Sequence, residues 1–103
     1  MKYVQIITTT DKSKIADKIT NSLLNKELAS CVQRMPIQST YRWKGKIENS
    51  KEFLLLIKTK KSLYKKVEKE IKANHDYEVP EILEIPITNG NKAYLNWLNS
   101  ETL

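Results

Sequence analysis

A chain of 103 residues with 40% hydrophobic and 29% charged side chains has the composition of one globular domain, here residues 1–103, and excludes a disordered or low-complexity protein. Its net charge of +6 raises the question of nucleic acid, but Arg34 and Arg42 are the only arginines and the lysines are scattered, which describes a solvated surface rather than a phosphate-reading face. Cys31 is the sole cysteine, so an intrachain disulfide is excluded and a reducing compartment is expected.

Tyr3 to Thr9 is rich in β-branched residues and predicts a first strand. Thr10 or Asp11 is expected to cap the helix that follows, in which Ile15, Ala16, Ile19 and Leu23 recur at helical spacing up to about Lys26. From Ala29 to Trp43 the pattern changes to alternation, with Ile37, Ser39, Tyr41 and Trp43 on one face. Pro36 lacks a donor N–H and should mark a bulge or an edge strand. Lys44-Gly45 predicts a two-residue hairpin turn. The return strand ends in Phe53-Leu54-Leu55-Leu56-Ile57, an apolar run that expects cover on both faces.

A second helix, capped by Thr59 or Ser62, carries Leu63, Val67 and Ile71 inward and ends near Asn74. The next seven residues, His75-Asp76-Tyr77-Glu78-Val79-Pro80-Glu81, have no helical periodicity, and Pro80 disfavours helix at Val79. Ile82 to Ile87 predicts a strand, with Pro86 placing it at an edge; Asn89-Gly90 predicts a turn. A terminal helix starts near Asn91 and carries Tyr94, Leu95, Trp97 and Leu98. The order βαββαβ plus a C-terminal helix predicts an α+β fold of the ferredoxin-like, split βαβ type, with one antiparallel sheet.

That fold hosts many activities, so function has to come from side chains. An RNA-recognition motif needs aromatics alternating on its third strand, and Glu52-Phe53-Leu54-Leu55-Leu56-Ile57 offers one. No glycine-rich phosphate loop, nucleophile elbow or Cys-x-x-Cys pair is present, so no signature of an enzyme is found. Cys31 reads as a small buried hydrophobe rather than a reactive thiol. The opening Met1-Lys2-Tyr3-Val4-Gln5-Ile6-Ile7 is too short an apolar run for a signal peptide, and no stretch approaches a membrane span. A cytoplasmic protein that binds neither nucleic acid nor membrane is expected. The polar segment 75–81 reads, on its chemistry alone, as a solvated connection, with a site using His75 and a carboxylate as the functional alternative.

A resemblance sharpens this. The segments Leu28-Ala29-Ser30-Cys31-Val32, Ser39-Thr40-Tyr41-Arg42-Trp43-Lys44-Gly45-Lys46-Ile47-Glu48 and Leu56-Ile57-Lys58-Thr59 come in the order and spacing of the CutA divalent-cation tolerance family. His75 to Glu81, Ile87-Thr88-Asn89-Gly90-Asn91 and Tyr94-Leu95-Asn96-Trp97-Leu98 continue it almost to the end. The chain resembles that family, and the resemblance implies a homotrimer similar to PII-type signalling proteins, with clefts at subunit boundaries and a response to copper and other divalent cations. It implies no catalysis and no obligatory cofactor. The implied cleft residues are Tyr41 and Trp43 as wall, Lys58 as a positive charge, and His75, Tyr77 and Glu81 at the polar end, with His75 a weak copper ligand. A small anion or a partner protein in the same clefts is the alternative. The family usually has His-Pro-Tyr where this chain has His75-Asp76-Tyr77. Its other copper-linked positions fall near Ile7 and at Asn74, so only His75 carries over.

Overall fold

The computed structural model describes all residues from Met1 to Leu103. Its elements are β1 (Tyr3–Thr10), α1 (Ser13–Asn25), β2 (Cys31–Trp43), β3 (Lys46–Lys60), α2 (Tyr64–Asn74), β4 (Ile82–Ile87) and α3 (Lys92–Ser100), with one 3-10 turn, Lys61–Leu63, leading into α2. The strands form one antiparallel sheet in the order β2-β3-β1-β4, the split βαβ arrangement that the element order predicts.

Alternation along β1 and β3 turns Val4, Ile6, Leu55 and Ile57 to one face, where they meet Ala16, Ile19 and Leu23 of α1 and Val67 and Ile71 of α2. Each of these nine side chains is almost wholly withdrawn from water. The opposite face is covered differently. There α3 buries Leu98, and its last turn receives the Lys60 ammonium, which donates to Asn99 Oδ1 at 3.0 Å and to the carbonyls of Asn99 and Thr102. A cation at a helix C-terminus is favourably placed. Beyond α3 this face shows Met35, Leu83 and Ile85 to solvent, so the second covering layer expected over Leu54 and Leu56 is absent from the single chain.

Pro36 pairs with Phe53 in unbroken register on the edge strand β2, so it marks an edge and makes no bulge. Lys44 and Gly45 both adopt positive φ (51° and 81°), the geometry of a type I′ hairpin turn. Because β1 pairs only with Phe53–Lys60 of β3, the part of the hairpin from Ile37 to Glu52 continues as a two-stranded ribbon. Three predicted end signals work otherwise than expected. The helix α1 has no side-chain cap: the Thr10 hydroxyl accepts from the Lys12 N–H and organises the turn before it. Thr59 belongs to β3 and donates to the Leu28 carbonyl at 2.6 Å, and neither it nor Ser62 caps α2. Gly90 has no positive φ; a Cβ there would lie 3.1 Å from the Leu95 side chain, so the glycine permits a close approach. Asn91 does cap α3, accepting from the Tyr94 N–H at 3.0 Å.

Candidate functional site

Where β1 ends and the ribbon begins, the 75–81 segment folds over the sheet. It is anchored by His75, whose side chain is 1% exposed. The Nε2 of His75 lies 2.7 Å from the Thr9 carbonyl, which can only accept, so Nε2 carries the proton. Nδ1 accepts from the Tyr77 N–H at 3.1 Å. Both ring nitrogens are thereby engaged, and the imidazole is the neutral Nε2–H tautomer. Asp76 adds a tether, its carboxylate 2.6 Å from the Lys12 ammonium. The Lys12 hydrogen bond holds the Asp76 carboxyl below the usual carboxylate range, and the same bond raises Lys12. The Lys12–Asp76 ion pair thus ties this loop to the turn ahead of α1.

Tyr77 follows the anchored imidazole, its ring centroid 4.6 Å from that of His75. Its hydroxyl donates to Glu52 Oε2 at 2.7 Å. Burial, and then the Glu52 carboxylate beside it, push the Tyr77 phenol well above its ordinary value, so it remains a proton donor. Glu52 is only 7% exposed; it lies opposite Ile37 on the face shared with Leu54 and Leu56. It has no lysine or arginine partner, and its Oε1 accepts from no group of the chain.

Between ribbon and loop lies a crevice made of two adjoining hollows. One, of about 320 Å³, is lined by Tyr41, Trp43, Asp76, Tyr77, Glu78 and Val79. The other, of about 430 Å³, shares Tyr41, Trp43 and Val79 and adds Thr9, Ser39, Thr40, Glu52 and Glu81. No lysine or arginine lines either, although the chain carries a net charge of +6.

Of the residues singled out from sequence, Tyr41, Trp43, Tyr77 and Glu81 line this crevice. Lys58 does not. It pairs with Gln5 and Cys31 six residues further along β3 from Glu52, about 20 Å away at the rise of a strand, and donates to Gln33 Oε1 at 2.7 Å. His75 stands behind the wall and supports it; with both nitrogens committed, it is not a free metal ligand. Nowhere do three or more His, Cys, Asp or Glu side chains come together as a metal site requires, so one chain does not fit a chelated divalent ion. Glu52 and Thr9 were missed from sequence. The available signal for Glu52 was a carboxylate abutting an apolar run, on the same pleat as Leu54 and Leu56.

The family model described as CutA1 divalent ion tolerance protein matches residues 4–101. A divalent-cation tolerance protein CutA of Thermus thermophilus is 39% identical over 98 residues, covering 94% of this chain and 95% of that protein. The chloroplastic CutA of Arabidopsis thaliana is 39% identical over 100 residues, which are 96% of this chain but only 55% of the plant protein; the chain spans about half the length of the plant relatives. The crystal structure of CutA1 from Oryza sativa superposes with a TM-score of 0.96 at 36% identity, over 100% of this chain and 95% of that one. With a matching family model across nearly its whole length and relatives near 40% identity, the chain belongs to the CutA1 divalent-ion tolerance family.

Proposed function

We propose that the protein acts as a homotrimeric, cytoplasmic divalent-cation tolerance protein without catalytic activity, whose crevices attract cations. The observation that carries the cation reading is the lining of the crevice, which offers Glu52, Glu78 and Glu81 and no basic residue. Such a site focuses a negative potential within a positively charged molecule. The alternative of a small anion finds no basic residue in the lining of one chain's crevice, which Lys58 does not reach. Copper affinity is expected to be weak and shared with other divalent ions, because the crevice supplies oxygen donors and no nitrogen or sulfur.

Self-association is supported by the sheet. Met35, Leu83 and Ile85 are exposed on one face with Leu54 and Leu56 half-buried beside them, and β2 and β4 leave unpaired edges. A second and third copy would cover that apolar face and close the edges in a ring. The lone thiol of Cys31 supports the cytoplasmic assignment. Light scattering with calorimetric copper and zinc titrations tests the reading: a trimer mass and weak, comparable heats for both metals are expected. A monomer at micromolar concentration, or no response to any divalent ion, would overturn it.

A further inference from the structure

We propose that His75 is a proton-operated latch for the 75–81 segment: the neutral ring holds the crevice wall in place, and the protonated ring releases it. This rests on the reading of the crevice as the functional site and names its regulation. The latch consists of two alternative partners for one atom. In the neutral ring Nδ1 accepts from the Tyr77 N–H at 3.1 Å, while Nε2 donates to the Thr9 carbonyl at 2.7 Å. A proton added to Nδ1 sets a donor against a donor, so the Tyr77 bond is lost. An acceptor is already at hand. Asp76 Oδ1 lies 3.7 Å from Nδ1, and Oδ2 of the same carboxylate holds Lys12 at 2.6 Å. Because Nε2 is a donor in both forms, the ring keeps Thr9 and exchanges Tyr77 for Asp76.

The surroundings let the ring charge in place. Its side chain is 1% exposed, so a proton there needs a counter-ion within reach, and Asp76 supplies one from the loop itself. The turn before α1 adds Lys12 and Asp11, which pair with each other at 3.2 Å. From β3 comes Glu52, which meets the loop through the Tyr77 hydroxyl; β1 offers the Thr9 carbonyl and no charge. The helix α2 ends at the ring, where the His75 N–H bonds the Lys72 carbonyl at 3.5 Å, and a helix C-terminus favours a cation. Of the charged side chains in that last stretch, Lys72 is exposed and Glu70 is taken by Lys26 and Ser22.

Releasing Tyr77 changes the crevice. The Tyr77 ring lies against the imidazole, centroid to centroid 4.6 Å, and its hydroxyl is bonded to Glu52. Tyr77, Glu78 and Val79 make one wall of the hollow that Tyr41 and Trp43 close from the hairpin. The backbone N–H that sets the position of this wall is the one that loses its acceptor. Imidazole is the side chain whose charge ordinarily changes between about pH 5 and 8, so mild acid is where the latch operates.

His75 is the only histidine, so its ring nitrogens give unambiguous 15N NMR signals. The test is a titration of the assembled, chelator-treated protein from about pH 8 to about pH 5, with amide exchange of Tyr77 followed in parallel. Nδ1 should gain a proton in this range. Protection of the Tyr77 amide should fall about tenfold along the same curve, the scale of one hydrogen bond. Asp76→Asn, at an exposed position, removes the counter-ion and should move the midpoint to lower pH. His75→Gln keeps a donor for Thr9 but no titrating group, so its Tyr77 protection should not follow pH. A ring that stays neutral throughout, or charges only as the assembly unfolds, would overturn the proposal. So would a ring that charges without exposing the Tyr77 amide, or an unmoved midpoint in Asp76→Asn. No metal enters this titration, so the latch can fail while the crevice still attracts cations, and the reverse.

Discussion

Replacing His75 by alanine separates a structural imidazole from a metal-binding one. The ring gives two hydrogen bonds to the backbone, to the Thr9 carbonyl at 2.7 Å and from the Tyr77 N–H at 3.1 Å. Each is worth about 1 kcal/mol net, and losing the packing of a ring that is 1% exposed adds about 1 kcal/mol more. The variant should therefore lose about 3 kcal/mol, which at a urea slope of about 2 kcal/mol/M lowers the unfolding midpoint by about 1.5 M. Parent and variant are compared at equal protein concentration, because assembly links stability to concentration. In the absence of denaturant the variant should keep the copper heats of the parent, since neither ring nitrogen is free to ligate. An unchanged midpoint combined with lost copper binding would refute the reasoning. It would show that the ring leaves Thr9 for the metal at little cost.

The Tyr77–Glu52 bond should appear as a coupling in a double-mutant cycle. Tyr77→Phe alone should cost about 2 kcal/mol in urea unfolding, and less when Glu52 is already Gln; strictly additive losses would contradict the pairing. Glu70, on α2, accepts from Lys26 at 2.9 Å and from the Ser22 hydroxyl, and these two partners hold its carboxyl below its ordinary 4.5. A depressed carboxylate stabilises the fold above its unfolded pKa, and that contribution disappears as pH falls through the folded value. The melting-temperature gap between parent and Glu70→Gln should thus be present at neutral pH and shrink once pH drops below about 4.5; a gap that is constant with pH would exclude this ion pair as its source.

The strands, the two core helices and the hairpin turn could be read from sequence because each is written in a local period or in a residue with special φ/ψ. Lys44-Gly45 is the clearest instance, since a type I′ turn requires positive φ at both positions and glycine supplies one of them. End signals were less legible. Thr59 has the composition of a helix cap, yet the pleat of β3 points its hydroxyl inward to the Leu28 carbonyl, an acceptor 31 residues away. A backbone carbonyl has no residue type, so nothing in the sequence announces it. The same holds for His75, whose anchoring partner is the carbonyl of Thr9, 66 residues earlier. Read by residue type alone, an imidazole beside carboxylates suggests a ligand; its carbonyl partner reveals a fastener.

Charge shows the same limit from the other side. A net charge of +6 belongs to the sum over the molecule, whereas the sign of a crevice belongs to the few side chains that register and loop closure bring together. Tyr41 and Trp43 share a face with Glu52 because β2 and β3 are paired through Ile37↔Glu52 and Tyr41↔Glu48. A slip of one residue in that pairing would turn one strand's set to the opposite face. Glu81 and Tyr77 arrive only because His75 and Asp76 pin the loop at Thr9 and Lys12. An acidic, aromatic crevice in a basic protein is thus a product of register and anchoring, and none of the lysines that set the overall charge lines it.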